Sequence, residues 1–582
     1  MNKTFYNLAD YVNQPLSEKF QERGKWQKFI YEAKGQMGAG LVCGTLNNPE
    51  PIEIDLKVKG WHRVYFALGT TGGTPGIQIQ LSNSPGKTIL HPTNIDFVEG
   101  VFRWQGYDYV EESFFKALDL TDVKFIISKP QDLETRHNQV IIYIRVEEMT
   151  DAEVDAYKAK QEKRIMYHFD TDYLAECDFN SPEEYLGRLE MLEGGYGDVL
   201  IHEVFIESHS VPGYNEDILP WRGWNEEKLR SKNQEKYRNI ANEVKKVLSK
   251  KTHKMGMDIY AGYRFTMADF IYACNPSMHN DGLVEKYPQY FCKTRDGREI
   301  RVLSFAFKEV HKLCIDKILR TLPDDWDGVS LFFHRGLYIA FEQPVIDEVQ
   351  KRYGVDARIL KRSDPRLNTV MSEFITDFIR DLKKALKEKA IKANHADYKI
   401  NVVTLFDHQA TKNYGCDVEA LLKEGLIQSV SQGLMTHYEE IDDCLDKDGN
   451  VDIAKYVKKR ERKFVQRRYF GDDSEHVCEG SKEFLEFTKK YGGEYYAALG
   501  WENKDYQYQL DLAKDIYNMG AEKLISWNAN HIAKYGSKLS GVKACGDKEN
   551  ILKGNCKVVS DNFRLTVING MDISEFDPNW RG

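Results

Sequence analysis

From Arg164 to His531 short apolar runs alternate with long amphipathic segments, and no other feature of the chain restricts its fold as strongly. Eight runs stand out: RIMYHFD (164–170), DVLIHEVFI (198–206), KMGMDIYAGYR (254–264), GVSLFFHRG (328–336), INVVTLFDH (400–408), LIQSVSQG (426–433), EYYAALGW (494–501) and KLISWNANH (523–531). Between them lie segments with helical spacing, such as NEEKLRSKNQEKYRNIANEVKKVLSK, SEFITDFIRDLKKALKEKA and YQLDLAKDIYNMG. Strands separated by helices predict a parallel sheet with helical crossovers. Eight such units are the number that closes a (β/α)8 TIM barrel, and an open doubly wound sheet is the runner-up. Neither GxGxxG nor GxxxxGK(S/T) follows any run, which favours the barrel.

The rest of the chain reads differently. PIEIDLKVKG, WHRVYFALG, GIQIQLSNS, VKFIISKP and QVIIYIRVEE are short, rich in β-branched and aromatic residues, and separated by Gly, Pro and Asn turns. Such strands predict an antiparallel β-sandwich. At 582 residues the chain exceeds one ordinary domain. The expected division is an accessory sandwich over 1–150, a helical connector over 151–163, a barrel over 164–540, and a C-terminal extension over 541–582 packed on the barrel or the sandwich.

With 42% hydrophobic and 12% aromatic residues the chain can fill a large core. Its net charge is −9, and the densest basic stretch, KKRERKFVQRR at 458–468, reads as the solvated face of a helix, so no nucleic-acid partner is expected. No run approaches the roughly 20 apolar residues of a membrane span, nor does the N-terminus carry a signal-peptide core. The ten cysteines are scattered without a CxxC pair, a usage that fits a reducing compartment. A cytoplasmic protein without a membrane partner is expected, a homo-oligomer being left open.

In a barrel the active site forms where strands run out at the C-terminal face. The first run ends in His168 and Asp170, the second in His202, Glu203 and Glu207, the third in Tyr263 and Arg264, and the fourth in His334 and Arg335, with Glu342 in its loop. The fifth ends in Asp407 and His408, the sixth in Gln432, the seventh in Trp501 and Glu502, and the eighth in Trp527, Asn528, Asn530 and His531. Glycosidic hydrolysis needs two carboxyl groups, one to protonate the leaving oxygen and one to attack the sugar or activate water. Carboxylates after the fourth and seventh strands face each other across a barrel mouth, so Glu342 is expected as the acid and Glu502 as the nucleophile or base, with Asp407 in reserve. His202, Tyr263, Arg264, His334, Arg335, Trp501, Trp527 and Asn528 are expected to line the sugar subsites. Each also has a structural reading: Glu342 in the first turn of the helix begun by Pro344, Arg335 as its ion-pair partner, the two tryptophans as packing.

The stretch DDWDGVSLFFHRGLYIAFEQPVIDEVQKRYGVDARIL, followed by DPRLNTVMSEFITDFIRDLKKAL and CDVEALLKEGLIQSVS, resembles the bacterial family-10-like glycoside hydrolases. MTDAEVDAYKAKQEKRIMYHFDTD is similar to the junction those proteins use between sandwich and barrel. The resemblance implies a (β/α)8 barrel with an accessory sandwich, a carbohydrate substrate and glycosidase activity. The chain departs from the pattern in carrying His334-Arg335 where better-known retaining relatives carry Asn-Glu, and Gln428 where an aspartate is expected. Two other classes stay open: a carbohydrate-binding barrel without catalysis, and a metal-dependent hydrolase or lyase of sugar derivatives. The second is disfavoured because no HxxxH or HExxH pair stands on one helix, so neither metal nor cofactor is expected.

Overall fold

The computed structural model describes residues 2–18, 22, 24–43, 49–69, 76–92, 109–130, 139–159, 162–170, 180–203, 240, 243–265, 287–334, 338–434, 474–500, 506–556 and 561–569. Eight parallel strands close into a barrel in chain order: β1 (Ile165–Phe169), β2 (Gly197–Glu203), β3 (Asp258–Arg264), β4 (Gly328–Phe332), β5 (Lys399–Val403), β6 (Ser429–Ser431), β7 (Glu494–Ala498) and β8 (Lys523–Ser526). β8 closes the ring on β1 through the register Ile165↔Leu524, Met166↔Ile525, Tyr167↔Ser526. The strands are buried on both faces and largely apolar, because the helices cover one face and the barrel core fills the other. Pro365–Ala393 shows how the helices are specified: Asp364 caps it by accepting from Arg366 N, Pro365 opens it, and Asn394 in the left-handed region ends it.

Side chains alternate along each strand, so one inward residue identifies the rest. Met166, Val199, Ile201, Tyr260, Phe332, Val403, Tyr496, Ala498, Ile525 and Trp527 form one buried cluster, the barrel interior. Nearer the C-terminal face, the same alternation turns His168, Glu203, Arg264 and His334 inward. Deeper, Asn401 donates to Ser330 Oγ at 2.7 Å and accepts from Ser429 and Ser431 at 2.9 and 3.0 Å, which satisfies a polar layer within the core. At the opposite end, Lys523 with Asp198 and Lys399 with Asp258 pair their charges at 2.6 and 2.8 Å.

The accessory part holds two antiparallel sheets. The larger runs Asn2–Phe5, Gln139–Glu148, Gln36–Cys43, Gln27–Ala33, Asp561–Asn569, Tyr109–Asp119, Trp61–Gly69, and Gln139–Glu148 also pairs with Trp61–Gly69. The smaller runs Ile52–Ile54, Phe125–Ser128, Ile77–Leu81, Lys87–Leu90. Phe66 meets Phe115 and Phe125 edge-on at 5.7 and 5.5 Å, joining the two. Strand Asp561–Asn569 comes from the far end of the chain and sits between two N-terminal strands. Helix Asp151–Lys158, capped by the reciprocal Thr150–Glu153 pair, links these sheets to the barrel. Helix Gly536–Cys545 runs across the expected boundary at 540. Among the described residues no helix is long and apolar enough to cross a membrane.

Candidate active site

The inward residues at the ends of β1, β2 and β3 form one buried ionic cluster. Glu203 is fully buried, and its Oε1 takes every donor the carboxylate has among the described residues: His168 Nε2, Arg264 Nη2, and Arg264 Nε at 2.9 Å. Its Oε2 is buried with no hydrogen-bond partner among the described residues. Arg264 Nη2 also donates to Asp170 Oδ2 at 3.1 Å, so one guanidinium nitrogen is shared by two carboxylates. Two hydrogen bonds to one atom hold the carboxylate oxygens within about 6 Å of each other. A buried carboxylate that leaves one oxygen without a donor is expensive as architecture alone, since an unmet buried polar atom costs about 1–3 kcal/mol.

Two further contacts orient the cluster. Asn528 N donates to His168 Nδ1 at 3.2 Å, so the imidazole proton sits on Nε2 and points at Glu203. Asn528 reaches this position with φ of 50°, a left-handed conformation that asparagine tolerates better than most residues. Asn530 binds the backbone of Asp170 from both sides, accepting from its N–H at 2.9 Å and donating to its carbonyl at 2.8 Å. Trp527 packs against His168 at 4.8 Å between ring centres and lies nearly parallel to His334 at 5.4 Å. Its Nε1 donates to Gln432 O at 3.1 Å, which fixes the indole across the mouth.

The expected site residues separate into three groups. Arg264, His334, Trp527 and Asn528 are brought together around this cluster. Arg335, Trp501 and Glu502 lie outside the described residues. The remaining four point elsewhere, and each is a correction. His202 and Tyr263 stand one residue out of phase, on the faces covered by helices. His202 shares a 2.6 Å hydrogen bond with Tyr185 OH, and burial lowers its pKa to about 3, so it stays neutral. Tyr263 OH meets Thr321 Oγ1 at 3.1 Å. Asp407 caps helix His408–Asn413 by accepting from Ala410 N at 2.7 Å.

Glu342 is the largest correction. Fully buried, it accepts from Ala340 N at 2.9 Å and Lys293 N at 3.1 Å, tying hairpin Phe291–Lys293/Glu299–Leu303 to the start of helix Gln343–Tyr353. This is the structural role open to a carboxylate beside a helix start. Burial pushes its carboxyl above the ordinary range, so the folded chain holds that proton more tightly than the unfolded chain. Stability therefore falls as pH rises from about 4, the unfolded value, through the raised one. Glu342→Gln should flatten that part of the Tm-against-pH curve and leave turnover within about twofold, since no reacting group is removed; loss of turnover in a folded variant would return Glu342 to the chemistry.

His168, Asp170, Glu203 and Asn530 were visible as polar strand ends, yet nothing in DVLIHEVFI distinguishes the inward Glu203 from the outward His202. Among the described residues no group of three His, Cys, Asp or Glu side chains is disposed to hold a metal ion.

No protein-family model matches the chain, and no curated protein matches its sequence. Solved structures do resemble it. The glycoside hydrolase domain of PgaB (BpsB) from Bordetella bronchiseptica is 11% identical, with 66% of this chain and 98% of that one covered and a TM-score of 0.41. A ruminal GH26 endo-β-1,4-mannanase is 9% identical, with 94% and 95% covered and a TM-score of 0.29. The CBM22-1–GH10 modules of Clostridium thermocellum xylanase 10B, in complex with xylohexaose, are 9% identical, with 92% and 97% covered and a TM-score of 0.27. At such identities and scores the assignment of a closed eight-stranded barrel rests on this chain's own strand pairing.

Proposed function

We propose that this chain is a glycoside hydrolase in which Glu203 is the nucleophile or base. The observation that carries the reading is the division of labour within its carboxylate. Oε1 is saturated by three N–H donors, which hold the group rigidly, while Oε2 has none among the described residues and is left to attack a sugar carbon or take a proton from water. Asp170 serves by orienting Arg264, and because it is engaged there it is not the proton donor. That part falls to Glu502, four residues beyond the end of β7. β7 is separated from β2 by β8 and β1, so groups after β2 and β7 come from well-separated parts of the rim. Trp527 and His334 would give the sugar an apolar floor. The structures that resemble this chain include enzymes of the same broad chemistry, which agrees with the proposal without carrying it.

The test is a panel of chromogenic α- and β-glycosides, uronides included, given to the purified protein with and without chelator. Turnover of at least one member, unchanged by chelator, is expected. Binding without turnover would leave a carbohydrate-binding barrel, and activity lost with chelator would turn the reading toward metal-dependent chemistry.

A further inference from the structure

The accessory sheets touch the barrel at the two loops that carry the site. On the β8 side, His91 N donates to Lys534 O at 2.6 Å, and the His91 and Tyr535 rings lie 5.8 Å apart. Gly536 meets the backbone of strand Tyr109–Asp119 so closely that a Cβ there would stand 1.9 Å from Phe114 O. On the β1 side, a Cβ on Gly187 would stand 2.0 Å from Lys87 O, and Lys87 pairs with Glu184 at 2.9 Å. Lys116 reaches Glu190 at 3.6 Å. Both glycine contacts are with backbone, which cannot rotate away.

From this joint a continuous set of contacts leads inward. The segment fixed by His91 and Phe114 follows directly on the short helix Ala529–Ile532, which bears Asn530. Asn530 clamps the backbone of Asp170, Asp170 holds Arg264, and Arg264 holds Glu203 Oε1. We propose that the accessory sheets act as a brace that positions the catalytic carboxylate, with Gly187 and Gly536 as the two points of closest support. The proposal rests on the reading of Glu203 as the reacting group. Relieving either glycine contact after adding a methyl requires the backbones to part by about 1 Å, and misplacements of that size cost on the order of 10²-fold in rate.

The test uses the full chain with Gly536→Ala, Gly187→Ala and Glu184→Gln, and Met37→Ala as a control on an exposed accessory residue. Steady-state kinetics and backbone hydrogen exchange are both read. The two glycine variants should lose about 10²-fold in kcat, with KM changed far less. Exchange should rise at 165–170 and 523–535 in the glycine variants and, to a smaller degree, in Glu184→Gln, while Met37→Ala matches wild type. Glu184→Gln adds no atom to the joint, so it decides the matter if a glycine variant fails to fold. Unchanged exchange at both segments overturns the brace, as does unchanged kcat in folded glycine variants. If the wild-type protein turns over no glycoside but the variants show the exchange changes, the mechanical link is upheld and the glycosidase reading alone is overturned.

Discussion

Glu203→Gln should yield a folded barrel whose glycoside turnover is lower by roughly 10³-fold or more, the range for removing a positioned base or nucleophile. The amide retains an oxygen to accept from His168 and Arg264, so the ionic cluster keeps its shape while the reactive oxygen becomes an NH2 group. The neutral amide no longer sets a charge against the buried Arg264 guanidinium, so a modest loss of stability, about 1–3 kcal/mol, accompanies the kinetic effect. Glu203→Ala is a harsher change, because it takes from the buried Arg264 its main partner; breaking a buried pair in this way costs about 3–5 kcal/mol. Glu502→Gln should also abolish turnover, while Glu342→Gln should not. Kinetics and thermal unfolding of the variants, measured side by side, check all of this. Near-normal kcat/KM in folded Glu203→Gln would remove Glu203 from the chemistry.

Deleting residues 557–582 should have the largest effect on stability. Strand Asp561–Asn569 lies between Gln27–Ala33 and Tyr109–Asp119, pairing with both, and Phe563 stacks on Tyr143 at 5.7 Å. Its loss opens two strand edges in the middle of the sheet and strands their backbone hydrogen-bonding groups. The expected cost is on the order of 5 kcal/mol or more, comparable with the whole stability of a small domain. Calorimetry should show the accessory sheets unfolding first, ahead of the barrel, and hydrogen exchange should rise in 27–33 and 109–119. If the truncated chain unfolds at the wild-type temperature with wild-type exchange, the strand is dispensable.

Much of the architecture was legible because parallel barrel strands are buried on both faces and so appear as plain apolar runs. All eight runs correspond to barrel strands, six of which end two to five residues before the run does; GVSLFFHRG at 328–336 is strand only to Phe332. The same property hid the site. Where both faces are apolar the two-residue alternation leaves no mark, and a strand ending His202-Glu203 can be read in either phase. Glu342 shows a different limit: a glutamate two residues before Pro344 fits a helix start as well as a catalytic station, and only the neighbouring Lys293, from a hairpin far away in sequence, distinguishes them.

By itself the sequence determined the number, order and direction of the barrel strands, because local periodicity and burial are written residue by residue. For FRLTVIN near the C-terminus it went no further than an extension packed on the barrel or the sandwich. Which strands that segment joins, which face of β2 looks into the barrel, and which carboxylate keeps an oxygen free were decided only by the tertiary structure. Those outcomes depend on the closure of β8 onto β1 and on contacts between residues hundreds of positions apart, as between Asp170 and Asn530. No local pattern encodes such distances.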